Sequence, residues 1–130
     1  MYGSETWTVG EADRKKLEAF EMWCYSRMMK IPWIDKVSNR EVLERVKEKR
    51  SIWGIVKGRR DRMVGHILRH DGLVRDILES ENVRRKGRGR PRLDYCSQIV
   101  KDVRCVSFRE MHRLAQDRKA WRYASNQSSD

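Results

Sequence analysis

Three times in this chain a Ser or Thr is followed three residues later by Glu and then by an apolar run. The pattern stands at Thr8-Val9-Gly10-Glu11, Ser38-Asn39-Arg40-Glu41 and Ser107-Phe108-Arg109-Glu110. A hydroxyl so placed accepts from an orphan backbone N–H in a helix's first turn, while the Glu reaches back toward the incoming chain. Apolar residues sit at the staple positions around each box: Trp7 with Ala12, Val37 with Val42, and Val106 with Met111. Helix starts are therefore written explicitly, whereas strand signals are poor throughout. The chain reads as all-α: a small helical bundle of about five helices, with a basic loop and a disordered C-terminal tail.

Apolar spacing places the helices. Residues 11–30 set Leu17, Phe20, Cys24, Met28 and Ile31 at intervals of three or four, one apolar face that Pro32 closes. The second helix buries Val42, Leu43 and Val46 and is expected to end near Arg50. A third, over 51–70, turns Ile52, Val56, Met63 and Ile67 inward and leaves Lys57, Arg59, Arg60 and Arg62 largely on other faces. Gly54, Gly58 and Gly65 each weaken it by about 1 kcal/mol relative to Ala, which predicts a break or a close helix contact at one of them. Ile77-Leu78 with Glu79 to Val83 reads as a short extended piece. Residues 94–104 put Tyr95, Ile99 and Val103 on one helical face, and a last helix buries Met111, Leu114, Ala115 and Trp121. From Ser125 to Asp130 there is no apolar residue, so this tail is expected to be disordered.

At 130 residues the chain suits one domain or two small helical lobes. Apolar and charged residues each make up 38%, so the core is thin, and order is expected to draw on a neighbouring domain or on bound nucleic acid. The start, MYGSETW, lacks the basic and apolar regions of a signal peptide, and no apolar run approaches the ~20 residues of a membrane span. Three cysteines at scattered spacing imply reduced thiols. The expected location is the nucleus or cytoplasm.

The net charge of +11 is concentrated in two blocks. Residues 45–62 hold eight basic and two acidic side chains, and Arg84 to Arg92 (RRKGRGRPR) hold six basic side chains and no acid. The first block suits either a basic footprint or a solvated helix face. In the second, arginine forks on a Gly-loosened backbone suit phosphate oxygens better than they suit a core. Arg88-Gly89-Arg90-Pro91 reproduces the core tetrapeptide of the AT-hook, which lies in the minor groove of A·T-rich DNA. The other reading is a loop braced by helices and contacting phosphates, favoured because the loop runs straight into Leu93 and a helix.

Catalytic signatures are missing from the sequence. It has no Gly-x-Ser-x-Gly, Walker loop or His-Glu-x-x-His, and the acids Asp71, Asp76, Glu79 and Glu81 have no two-metal spacing. His66 and His70, four apart, have a spacing that suits one metal, with Cys96, Cys105 and His112 as further ligands. Helix-surface histidines and buried thiols are the preferred reading, and no cofactor or metal is expected. Cys24 reads as core.

Five segments together resemble one family: YGSETWT (2–8), LEAFEMWCYSRMMKIPW (17–33), GHILRHDG (65–72), GRGRPRLDY (87–95) and LAQDRKAWR (114–122). In order and spacing they are similar to the C-terminal end of the endonuclease–reverse transcriptases of non-LTR (LINE-like) retrotransposons. The resemblance implies a thumb-like helical region over 1–70, a basic loop with C-terminal helices over 71–124, and the tail over 125–130. The polymerase's Tyr/Phe-Ala-Asp-Asp is not in this sequence, so the resemblance implies a remnant of a polymerase and endonuclease polyprotein that is not an enzyme as it stands. Relatives usually carry an apolar residue at the position of Asp61, an aromatic at Met63 and Trp at Tyr95.

The expected function is non-catalytic binding of DNA, RNA or an RNA–DNA hybrid, with no membrane partner. Gly65-His66 and the Arg88–Leu93 loop match the family's motifs, and template-primer contact is the role the resemblance implies for them. The expected contact residues are Lys57, Arg59, Arg60, Arg62, His66 and Arg69 on the third helix and Arg84, Arg85, Lys86, Arg88, Arg90 and Arg92 in the loop. An AT-hook-like minor-groove module and an inert relic remain the alternatives.

Overall fold

The computed structural model describes residues 2–49, 51–83, 89 and 94–127, without the side chains of 81–83 and 127. The fold is all-α. Among the described residues there are seven α-helices and no strand: α1 Glu11–Met28, α2 Asn39–Val46, α3 Ile52–Arg69, α4 Leu73–Val83, α5 Tyr95–Asp102, α6 Phe108–Gln116 and α7 Arg118–Gln127. Short 3-10 turns occupy Ser4–Thr6 and Trp33–Asp35.

Two helices more than expected arise for local reasons. The expected extended piece at 77–83 is the second half of α4. Leu73, Val74, Ile77 and Leu78 follow a helical rather than an alternating period, and Arg75 pairs with both Asp71 and Glu79, one turn away on either side. The expected last helix is two, because the Asp117 carboxylate accepts from the N–H groups of Lys119 and Ala120 at 2.8 and 3.2 Å and starts α7 afresh. That helix runs to Gln127, so it takes in the first three residues of the expected tail. Residues 128–130 lie outside the described residues.

Two of the three hydroxyl caps form, and at Ser107 the Glu also reaches back to the incoming chain. Ser38 accepts from Glu41 N–H and Ser107 from Glu110 N–H, each at 3.3 Å, and Glu110 accepts from Val106 N–H at 2.7 Å. The Thr8 box does not: Gly10 stands at the N-cap of α1 with no side-chain cap. Helix α2 stops at Val46, short of Arg50, because Lys47 turns left-handed at φ 58°.

The chain divides into two compact units, residues 9–55 and residues 1–8 with 56–130, the boundary falling within α3. In the 9–55 unit α1 packs on α2, with Met22 and Val42 buried. Of the face expected to be apolar, Leu17, Cys24 and Ile31 are half-buried while Phe20 and Met28 are not. Phe20 is 56% and Met28 74% exposed, and α1 buries Glu21 and Met22 instead. Glu21 is inside because its Oε1 accepts from Ser51 N–H, Ile52 N–H and the Ser51 hydroxyl at 2.9, 3.0 and 3.1 Å. A carboxylate thus satisfies the orphan donors at the positive end of α3.

The other unit has the larger core, in which Val64 and Leu68 of α3 meet Ile99 and Val103 of α5, Met111 and Ala115 of α6 and Trp121 of α7. Three bonds tie α3 to its neighbours: Trp121 Nε1 donates to the Asp61 carbonyl (2.8 Å), Gln116 Nε2 to the Leu68 carbonyl (2.8 Å) and Arg69 Nη1 to the Ala115 carbonyl (3.0 Å). A Cβ at Gly65 would lie 2.8 and 2.9 Å from Cδ1 and Cε2 of the Trp121 indole. Of the break or close contact expected at one glycine of this helix, it is the close contact that occurs, at Gly65. Tyr95 reaches back to the start of the chain, its hydroxyl donating to the Glu5 carbonyl at 2.7 Å.

Candidate nucleic-acid interface

Helix α3 separates its basic residues by face. Arg59, Arg62 and His66 are exposed and fall at intervals of three and four, one outward stripe of the helix that His70 continues just past its end. Arg62 Nε donates to the Gly58 carbonyl at 3.1 Å, which lays its side chain along the helix surface. The His66 and His70 rings lie 4.4 Å apart between centroids.

Lys57 and Arg60 do not belong to this surface. They are 4% and 2% exposed, so the expectation that they face outward and contact nucleic acid is corrected. Arg60 pairs with Asp102 of α5 and with Asp61, whose Oδ1 lies 3.3 Å from Nη2. Lys57 Nζ lies 4.0 Å from Asp61 Oδ2 and donates to the Ser125 carbonyl at 3.3 Å. A buried cation persists only with a partner, because stripping its water costs several kcal/mol. Asp61, an unusual acid in a basic helix, is that partner. Burial pushes its carboxyl above the ordinary carboxylate range, against the pull of Arg60 and Lys57. Burial also pushes the Lys57 ammonium below its usual value, with Asp61 and Asp102 opposing.

Gly65 belongs to the packing against Trp121, which leaves His66 as the member of the Gly-His pair open to a ligand. Arg69 is half-buried, with its guanidinium on the α6 carbonyl end. Burial first, and the charge of neighbouring Arg118 second, lower its pKa. Arg118, the first residue of α7, is thus near enough for its charge to act on Arg69, and the outer face of α7 is itself basic. Arg118, Lys119, Arg122, Tyr123 and Asn126 line an open depression of about 450 Å³. These α7 residues were not expected at the site. Acids elsewhere in residues 93–130 offset their charge in the net count, although the 118, 119, 122, 123 spacing marks one helix face.

Of the expected loop contacts, Arg84, Arg85, Lys86, Arg88, Arg90 and Arg92 lie outside the described residues. Their flanks are described: α4 reaches Val83, and Asp94 caps α5 by accepting from Ser97 N–H at 2.9 Å. Gly89 is exposed, with φ 115°, a conformation open mainly to glycine.

Among the described residues no group of three or more His, Cys, Asp or Glu side chains is placed to hold a metal, and no disulfide joins the three cysteines. No described helix is long and apolar enough to cross a membrane. The chain matches no protein-family model, no curated protein and no solved structure.

Proposed function

We propose that this chain binds nucleic acid through its phosphate backbone, as a non-catalytic C-terminal region of a retrotransposon-type reverse transcriptase. The observation that carries the reading is the sorting of cations on α3: two are buried and neutralised by Asp61 and Asp102, while Arg59, Arg62 and His66 stay on one outward stripe. Arg69 and Arg118 carry positive charge from the end of α3 toward Lys119 and Arg122 on α7. Such surfaces read charge and shape rather than sequence. The resemblance of GHILRHDG, GRGRPRLDY and LAQDRKAWR to the family's motifs supports the same ligand.

The test is a salt titration of binding to a labelled duplex and to an RNA–DNA hybrid. Roughly four to six phosphate contacts at a slope of about −0.9 each predict a loss of about two to three decades in affinity between about 50 and 200 mM salt. Arg59→Ala with Arg62→Ala lowers both the affinity and the slope, the slope by about one unit per lost contact. Absence of binding, or a flat salt response, overturns the proposal. Strong preference for A·T tracts, with competition by minor-groove ligands, moves the reading to the AT-hook alternative.

A further inference from the structure

The outer face of α1 carries an unusual combination of side chains. Lys16, Phe20, Trp23 and Arg27 recur at intervals of four, three and four, so they lie in one stripe along the helix. All are exposed, Phe20 by 56% and Trp23 by 55%. The two rings are stacked on one another, with centroids 5.9 Å apart and planes 20° from parallel. The Arg27 guanidinium carbon lies 5.4 Å from the Trp23 ring centroid, and Lys16 stands at the other end of the pair. Ala19 and Ser26 beside the rings are small.

Acids are largely kept off this face. Glu21 is buried at the start of α3, and Glu18 is paired with Arg14 at 2.9 Å. Asp13 approaches at the N-terminal end, 3.8 Å from Lys16.

We propose that this stripe is a stacking platform for single-stranded nucleic acid, with Phe20 and Trp23 meeting bases while Lys16 and Arg27 meet phosphates. Two flat aromatic faces between two cations match a polyanion that offers flat rings. A single strand is such a ligand, whereas in a duplex the base faces are hidden against each other. An apolar protein surface would have to desolvate Lys16 and Arg27 without return. The Arg27 guanidinium over the indole marks a ring face that accepts a planar group, and its move from there to a phosphate lets a base take that place. This site lies in the 9–55 unit and does not rest on the duplex-binding surface proposed above, so each stands or falls alone.

The test uses the full chain and fluorescence anisotropy with a labelled oligodeoxythymidine of about 12 nucleotides, beside a duplex of the same length. Phe20→Ala with Trp23→Ala is expected to weaken single-strand binding at least about tenfold, since each lost stack is a large effect, and to change duplex binding less than about twofold. Trp23→Phe, which keeps a ring, retains most of the affinity. Both side chains being exposed, circular dichroism should show an unchanged helix content. Unchanged single-strand binding in the double variant, equal losses for single strand and duplex, or no single-strand binding by the parent chain each overturns the proposal. So does a monomer–dimer equilibrium in the parent that the double variant abolishes, which would make the stripe a seat for a second copy.

Discussion

One missing methyl group sets how closely α3 meets α7. At Gly65 the indole of Trp121 occupies the space a Cβ would take, and its Nε1 is held by the Asp61 carbonyl one turn earlier. Alanine normally favours a helix by about 1 kcal/mol over glycine, but overpacking a tight contact costs about 1–3 kcal/mol. Gly65→Ala is therefore expected to lower the melting temperature, and adding Trp121→Phe should recover part of the loss. Additive losses in that double-mutant cycle would show that the two residues do not oppose each other.

Tyr95 links the residue scale to pH. Burial is the main cause raising its phenol to about 12, and the hydroxyl donates to the Glu5 carbonyl. A folded pKa above the unfolded one contributes stability that is complete below about pH 10 and is lost as pH rises toward about 12. The contribution at stake is on the order of 2 kcal/mol. Melting curves from about pH 9 to 12 should fall more steeply for the parent chain than for Tyr95→Phe, which has nothing to ionise there. Parallel curves would remove Tyr95 from the alkaline limb.

At the scale of elements, three helices end in the same way. Beyond α1, Ile31 N–H donates to the Ser26 carbonyl and Lys30 N–H to Arg27; beyond α2, Glu48 to Leu43 and Lys47 to Glu44; beyond α5, Cys105 to Val100 and Arg104 to Lys101. Each is a Schellman closure, and the left-handed position is held by Lys30, Lys47 or Arg104 rather than glycine. A side chain with a Cβ is strained there, so Lys47→Gly should stabilise the chain by about 0.5–1 kcal/mol, read as a higher urea midpoint at unchanged slope. Without glycines these stops carry no sequence signal, which is why α2 was expected to run to Arg50 and instead ends at Val46. The starts at Ser38 and Ser107 were legible because capping chemistry is local. The same reasoning failed at Thr8, where Gly10 opens α1, and at Asp117, whose cap splits the last helix.

For the whole molecule, formal charge and working surface are different things. The basic block over 45–62 looked like one footprint, yet Lys57 and Arg60 are buried while Arg59 and Arg62 are exposed. Nothing in the sequence distinguishes adjacent Arg59 from Arg60. The 100° step between them on a helix does, once α5 and α7 supply Asp102 and the Ser125 carbonyl on one side only. Likewise Phe20 and Met28 of α1 share the helical period of Leu17, Cys24 and Ile31, yet they stand exposed while the other three are half-buried. A period shows that residues share a side, but only a packed neighbour shows which side is inward. The all-α class and two helix starts could be read from the chain, since propensity and capping act within a few residues, whereas the glycines of α3 left a break and a tight contact equally open. Which cations stay on the surface, where α7 adds its own basic face, and that Phe20 and Trp23 stand in solvent were decided by long-range packing, because burial is a property of partners distant in sequence.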